Sequence, residues 1–153
     1  MLPLIALLFI LHQPLIISAS YVHIHNNCGN AVDVVWTANN QAPYLLCPGL
    51  QPGQWCNWDN AVGPGNLKAG WGGRTLAEFN FQAGDKDWYD LSVIVGYDMA
   101  MQIWPHDCAG CPGNCRPVTC TYAGCPDAYQ YPDDNSKLHC ASAGGLFDLH
   151  LCP

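Results

Sequence analysis

Glu78 is the only glutamate among the twelve acidic residues of this chain, and the residues around it bring a second carboxyl within reach. Ala77, Phe79 and Phe81 alternate with Leu76, Glu78 and Asn80. After Gln82-Ala83-Gly84-Asp85-Lys86 the alternation resumes as Tyr89, Leu91, Val93 and Val95 against Trp88, Asp90 and Ser92. A period of two broken by a glycine-centred turn predicts a hairpin. A turn centred on Gly84 sets Phe79 opposite Tyr89 on the apolar face and Glu78 opposite Asp90 on the other. Directly opposed residues have Cβ atoms about 5 Å apart, and like charges so placed cost free energy unless a proton or a cation intervenes. Side-by-side carboxyls serve glycoside hydrolysis, where one protonates the leaving oxygen and the other acts as nucleophile or base. The same alternation also describes two solvated acids on the wet face of an antiparallel sheet, and spacing leaves both readings open.

The elements that must position this pair read as β structure. Val22 and Ile24, then Val32, Val34, Val35 and Trp36, are β-branched or aromatic and are separated by Asn26, Asn27 and Gly29, which predicts two short strands around a turn. Pro43, Pro48, Pro52 and Gly53 mark loops, and no window keeps helical spacing. The glycine-rich stretch from Ala61 to Gly73, around Trp71, predicts a short strand between turns. Residues 107–132 are dominated by Cys, Pro and Gly, as expected of cross-linked loops. Of the six tryptophans, most are expected to fill a small core, with Trp88 presented beside the acidic face. His23 and His25 share one face of the first strand without a third ligand at metal spacing. Cys108-Ala109-Gly110-Cys111 has redox or zinc spacing, but in an exported chain it reads as part of a disulfide framework. Nothing calls for a cofactor or a metal, and there is neither a phosphate-cradling glycine loop nor a Ser-His-Asp order.

Met1 to Ser20 contains no charged residue, is apolar from Leu4 to Ile17 except at His12, Gln13 and Pro14, and ends in Ser18, Ala19 and Ser20. This predicts a signal peptide cleaved after Ser20, with one domain over residues 21–153. The interrupted run is shorter than the roughly 20 apolar residues of a membrane span. All ten cysteines lie between Cys28 and Cys152, so an exported, extracellular chain is expected to form five disulfides. The formal charge of −7 argues against nucleic acid and anionic lipid as partners, since both select basic patches.

Five patches, in order along the chain, resemble the thaumatin-like (osmotin) family: Tyr21 to Trp36, Thr75-Leu76-Ala77-Glu78-Phe79, Trp88-Tyr89-Asp90-Leu91-Ser92 with Gly96-Tyr97, Cys125-Pro126-Asp127-Ala128-Tyr129-Gln130-Tyr131, and the terminal Cys152-Pro153. The first of them resembles that family's opening hairpin. The chain is similar to the short, ten-cysteine members. The resemblance implies an all-β fold, a flattened antiparallel β-sandwich stapled by disulfides, with the second domain reduced. It also implies the pairings Cys28–Cys152, Cys108–Cys140, Cys111–Cys125, Cys115–Cys120 and Cys47–Cys56, the crowded run from Cys108 to Cys120 being open to permutation. For function it implies a secreted, monomeric defence protein whose acidic cleft binds cell-wall β-1,3-glucan, with at most weak endoglucanase activity. A non-catalytic interaction or glycosidase-inhibitor protein is the alternative. Carried over residue by residue, the catalytic pair is Glu78 and Asp90. The late aspartate is Asp133 or Asp134, and the cleft's basic residue is Lys68 or Arg74. The family's middle aspartate is Val95 here, with Asp98 three residues on as a substitute.

Overall fold

The computed structural model describes residues 19–153. The predicted leader lies almost wholly outside them. Twelve strands follow in order: β1 (Ser20–Asn26), β2 (Val32–Ala38), β3 (Tyr44–Leu50), β4 (Trp55–Ala61), β5 (Gly63–Ala69), β6 (Leu76–Phe81), β7 (Lys86–Ser92), β8 (Met101–Pro105), β9 (Val118–Cys120), β10 (Ala128–Tyr129), β11 (His139–Ser142) and β12 (Leu146–Leu151). A single 3-10 turn, Asn135–Lys137, is the only helical piece among the described residues.

The strands form two sheets. One has the order β4-β1-β12-β8-β9; the other runs β10-β7-β6-β5-β2-β3, with β11 also on β7. Most neighbours are antiparallel, while β1 with β12 and β10 with β7 are parallel. Inward-facing residues from both sheets interleave to make the core. Phe79 and Phe81 of one sheet meet Phe147 of the other, with ring centroids 5.5 and 6.1 Å apart, and Trp36 lies 4.6 Å from Trp58. Each fully buried aromatic or aliphatic side chain contributes about 1.5–3 kcal/mol. Gly65 makes room for this packing. A Cβ there would lie 2.5 Å from the Trp36 ring and from the Thr37 carbonyl oxygen.

The alternation-based hairpin is β6–β7, and its register pairs Glu78 with Asp90 and Phe79 with Tyr89, as the pattern predicts. Other local expectations need correction. The strands β1 and β2 do not form a hairpin with each other: they sit in opposite sheets. The crossing at residues 27–31 is held by the Asn26 side chain, whose amide donates to the carbonyls of Asn30 (2.9 Å) and Leu50 (2.7 Å). Pro48 falls inside β3 rather than in a loop. That strand is the sheet's edge, where a missing N–H is tolerated, and its pairing with β2 shifts register around Val34. Trp71 lies in the turn after β5 and is exposed.

Five disulfides are present: Cys28–Cys152, Cys47–Cys56, Cys108–Cys115, Cys111–Cys140 and Cys120–Cys125. The first two agree with the pairing that the resemblance implies. The other three correct it. Cys108–Cys115 and Cys120–Cys125 close loops of sequence separation 7 and 5, so the cysteine-rich run folds on itself, and Cys111 bridges it to Cys140 on β11 of the larger sheet. Cys140 lies opposite Trp88, and Cys111 is the cysteine packed against that edge. The same loops are moored to β7 by Tyr89, whose hydroxyl donates to the Arg116 carbonyl (2.6 Å) and accepts from the Arg116 N–H (2.9 Å).

Ser20, at the start of β1, already belongs to the folded unit. It is buried, and its hydroxyl donates to the fully buried Asp87 at 2.6 Å. Asp87 also accepts the N–H groups of Gln82 (2.7 Å) and Gly145 (3.3 Å). With cleavage after Ser20 the two backbone donors remain, so Asp87→Ala leaves the Gln82 and Gly145 N–H groups without their acceptor, and we expect a loss of about 1–3 kcal/mol. Urea denaturation measures it, and a midpoint equal to the wild type refutes the importance of this buried node.

Candidate functional site

The outer face of the larger sheet carries a row of polar side chains that runs across four strands. Asp90 on β7 faces Glu78 on β6, Glu78 faces Asn66 on β5, and Asn66 faces Thr37 on β2. Antiparallel pleating puts all four on one side, because each directly opposed pair points the same way. A groove of about 250 Å³ opens beside the row, between Asn39, Pro64 and Gly65 on one side and Asn80, Trp88 and Leu138 on the other.

Electrostatics divide the acid pair into a proton holder and a charge holder. Asp90 is 8 % exposed. Burial, the neighbouring Glu78 charge and a hydrogen bond to that carboxylate together push its carboxyl up to about 8. Burial also raises Glu78, and hydrogen bonds that Asp90 and Ser92 donate to its charged form oppose that rise. At neutral pH, then, Asp90 keeps its proton and donates to the ionised Glu78, and the pair carries one negative charge. Three atoms of the row, Asp90 Oδ1, Asn66 Oδ1 and Thr37 Oγ1, are buried without a hydrogen-bond partner in the protein. Such groups are costly to leave unmade.

The remaining sequence-derived candidates are spread around this centre. Trp88 lines the groove, its indole N–H donating to the Ala83 carbonyl (3.1 Å) and its ring lying 5.7 Å from the Lys86 ammonium. Lys68 is on β5 two residues beyond Asn66 and so shares its face. Arg74 turns away: its backbone N–H donates to Asp98 and its guanidinium to the Tyr97 carbonyl. Asp98 is occupied there, accepting the N–H groups of Arg74 (2.9 Å) and Thr75 (2.8 Å), and it does not line the groove. Asp133 is exposed. Asp134 accepts from the Ser136 hydroxyl at 2.9 Å, and with Asp90 and Glu78 it raises the Tyr129 phenol, whose largest shift comes from burial. Val95 points to solvent, 61 % exposed. Sequence reasoning missed Asn66, Thr37 and Asn39. Nothing in their local spacing marks them, since they reach Glu78 only through the β2–β5–β6 register. Among the described residues no group of three His, Cys, Asp or Glu is placed to hold a metal ion.

A family model described as the Thaumatin family matches residues 51–148. A thaumatin-like protein of Oryza sativa subsp. japonica is 43 % identical over 79 residues, which are 52 % of this chain and 40 % of that relative. Thaumatin-like pathogenesis-related protein 3 of Avena sativa is 31 % identical over 162 residues, covering 89 % of each chain. Among solved structures, the thaumatin-like xylanase inhibitor TLXI shares the fold with a TM-score of 0.56 at 15 % identity, covering 86 % of this chain and 99 % of its own.

Proposed function

Since the chain belongs to the thaumatin family, we propose that it is a secreted defence protein that binds β-1,3-glucan of cell walls in the groove beside Glu78 and Asp90. The observation that carries this reading is the polar row with its three unpartnered buried atoms. A sugar hydroxyl both donates and accepts, so one glycan chain laid along the row supplies partners to an amide oxygen, a hydroxyl and a carboxyl in turn. The ionised Glu78 accepts from the ligand, and Trp88 offers an aromatic edge to the groove. Secretion is supported by five disulfides in a small domain and by the apolar opening segment.

Turnover is at most weak in this reading, for a geometric reason. Glycosidase carboxyls flank the scissile bond about 5–5.5 Å or 6.5–9.5 Å apart. Here the two are bonded to each other on one wall, so they cannot stand on opposite faces of a sugar ring. Glu78→Gln and Asn66→Ala are expected to weaken laminarin binding by about tenfold each, as loss of a hydrogen bond to a charged or buried partner does. Release of reducing ends by the wild type is expected to stay close to that of Glu78→Gln. Calorimetry and a reducing-sugar assay read the two. Unchanged binding in both variants removes the groove reading. Slowing of a xylanase by a protein that does not bind glucan favours the alternative, an inhibitor role on the same scaffold as the xylanase inhibitor that shares this fold.

A further inference from the structure

The opposite side of the molecule carries a second constellation. The outer face of the five-stranded sheet is built from the alternate residues of its strands. Trp55, His25 and His150 form one cross-strand row, and Asn57, His23, Asp148 and Trp104 form the next. Asp148 sits between two imidazoles, with its Oδ2 2.8 Å from His106 Nε2 and its Oδ1 3.7 Å from His23 Nδ1. Its carboxylate is thereby aimed along the surface. The Trp55 indole stacks on His25, with centroids 4.2 Å apart and planes 7° from parallel, and His150 stands edge-on to both. Burial holds the His150 imidazole below its ordinary range.

These contacts hold the Trp55 ring face to face with the His25 ring on the neighbouring strand, while 48 % of the residue stays exposed. A surface aromatic held in place by a second ring loses little freedom when something stacks on it. Beside it lies a cleft of about 420 Å³ lined by His23, Trp55, Asn57, His106, Leu146 and Asp148. That lining combines an aromatic wall and a leucine with a few converging polar groups, as small-ligand clefts do. A further exposed indole, Trp104, lies three strands from Trp55, a separation of roughly 14 Å at the usual strand spacing.

The chemistry of the face selects its ligand. None of the chain's five Lys and Arg residues lies on β1, β4, β8, β9 or β12, so phosphates, nucleic acid and anionic lipid find no fixed cation there. What the face offers is a flat π surface, a carboxylate acceptor, an amide, and imidazoles that in their neutral form donate and accept at once. These are complementary to the C–H face and the hydroxyls of an uncharged pyranose. We infer that this face is a second glycan-binding surface, separate from the acid-pair groove. In it a neutral sugar ring lies on Trp55 while Asp148, Asn57, His23 and His106 bond its hydroxyls. The two sites, on opposite sides of the sandwich, make the protein able to hold two polysaccharide strands at once.

The test follows the six indole N–H resonances of the ¹⁵N-labelled protein during titration with laminarihexaose and with xylohexaose, alongside calorimetry. At least one of the two probes is expected to move the Trp55 signal, equally in the wild type and in Glu78→Gln. Read by calorimetry in the Glu78→Gln background, where the groove is weakened, Trp55→Ala, an exposed position, is expected to weaken that binding by about tenfold or more, and Asp148→Asn by a smaller factor. A Trp55 signal unmoved by both probes overturns the inference, as does binding that Trp55→Ala leaves intact. So does light scattering that shows a wild-type dimer converted to monomer by Trp55→Ala, because the face is then an interface between copies. Since Glu78→Gln weakens only the groove and Trp55→Ala only this face, failure of either site is distinguishable from failure of the other.

Discussion

Asp90→Asn is expected to stabilise the protein above neutral pH and to flatten its pH dependence between about pH 4 and 8. The wild-type carboxyl is raised to about 8 by burial and by the adjoining Glu78, whereas an unfolded aspartate titrates near 3.9. The folded state therefore binds the proton more tightly. The contribution is complete below about pH 4 and is lost as pH rises through 8, with a slope approaching 1.4 kcal/mol per pH unit for one proton. An asparagine stays neutral throughout and still donates an N–H to Glu78. The difference in unfolding free energy between variant and wild type, measured in urea at pH 5, 7 and 9, isolates this pair from the other carboxylates. It is expected to grow steadily in favour of the variant. Parallel profiles for the two proteins contradict the proton assignment at Asp90. The same measurement bears on function: if binding needs one proton in the pair, the affinity of wild type for laminarin falls above pH 8 while that of Asp90→Asn does not.

The second large effect concerns the ends of the domain. Cys28 follows β1 and Cys152 follows β12, and their bond closes a loop of sequence separation 124, with Cα atoms 5.0 Å apart. Because β1 and β12 are parallel neighbours, the bond ties together two strands from opposite ends of the chain, a pairing that otherwise has to overcome the closure entropy of the whole domain. Replacing both cysteines by serine is expected to cost about 4–5 kcal/mol on the chain-entropy scale, against about 2 kcal/mol for the same change at Cys120 and Cys125, whose sequence separation is 5. Guanidinium unfolding of the two double variants compares them directly. Equal losses show that native contacts rather than closure of the long loop set the stabilisation.

Local features of this fold were legible in the chain itself where a short stretch carries its own register. In the β6–β7 hairpin, alternation and one glycine-centred turn decide which residues face each other, so the Glu78–Asp90 pair follows from fewer than twenty residues. Across longer distances the same kind of reading failed. Val22 to Trp36 reads as two strands about a turn, yet the turn's geometry allows the chain either to fold back or to cross over, and the buried Asn26 amide selects the crossing. Cysteine spacing was equally ambiguous between Cys108 and Cys140, because any of several partners can come near once the loops are compact.

The order of residues alone determined a cross-linked, acidic β domain with two carboxyls facing each other on a hairpin, since pleat periodicity and charge are properties of neighbouring residues. Tertiary structure decided what surrounds them. It placed Asn66 and Thr37 in line with the pair, withdrew Asp98 and Arg74 into a loop contact, buried Asp90 deeply enough to keep its proton, and gathered residues from β1, β4 and β12 around Trp55. These depend on which strands become neighbours, and strand neighbourhood is set by packing the two sheets around one shared core rather than by any segment's own preference.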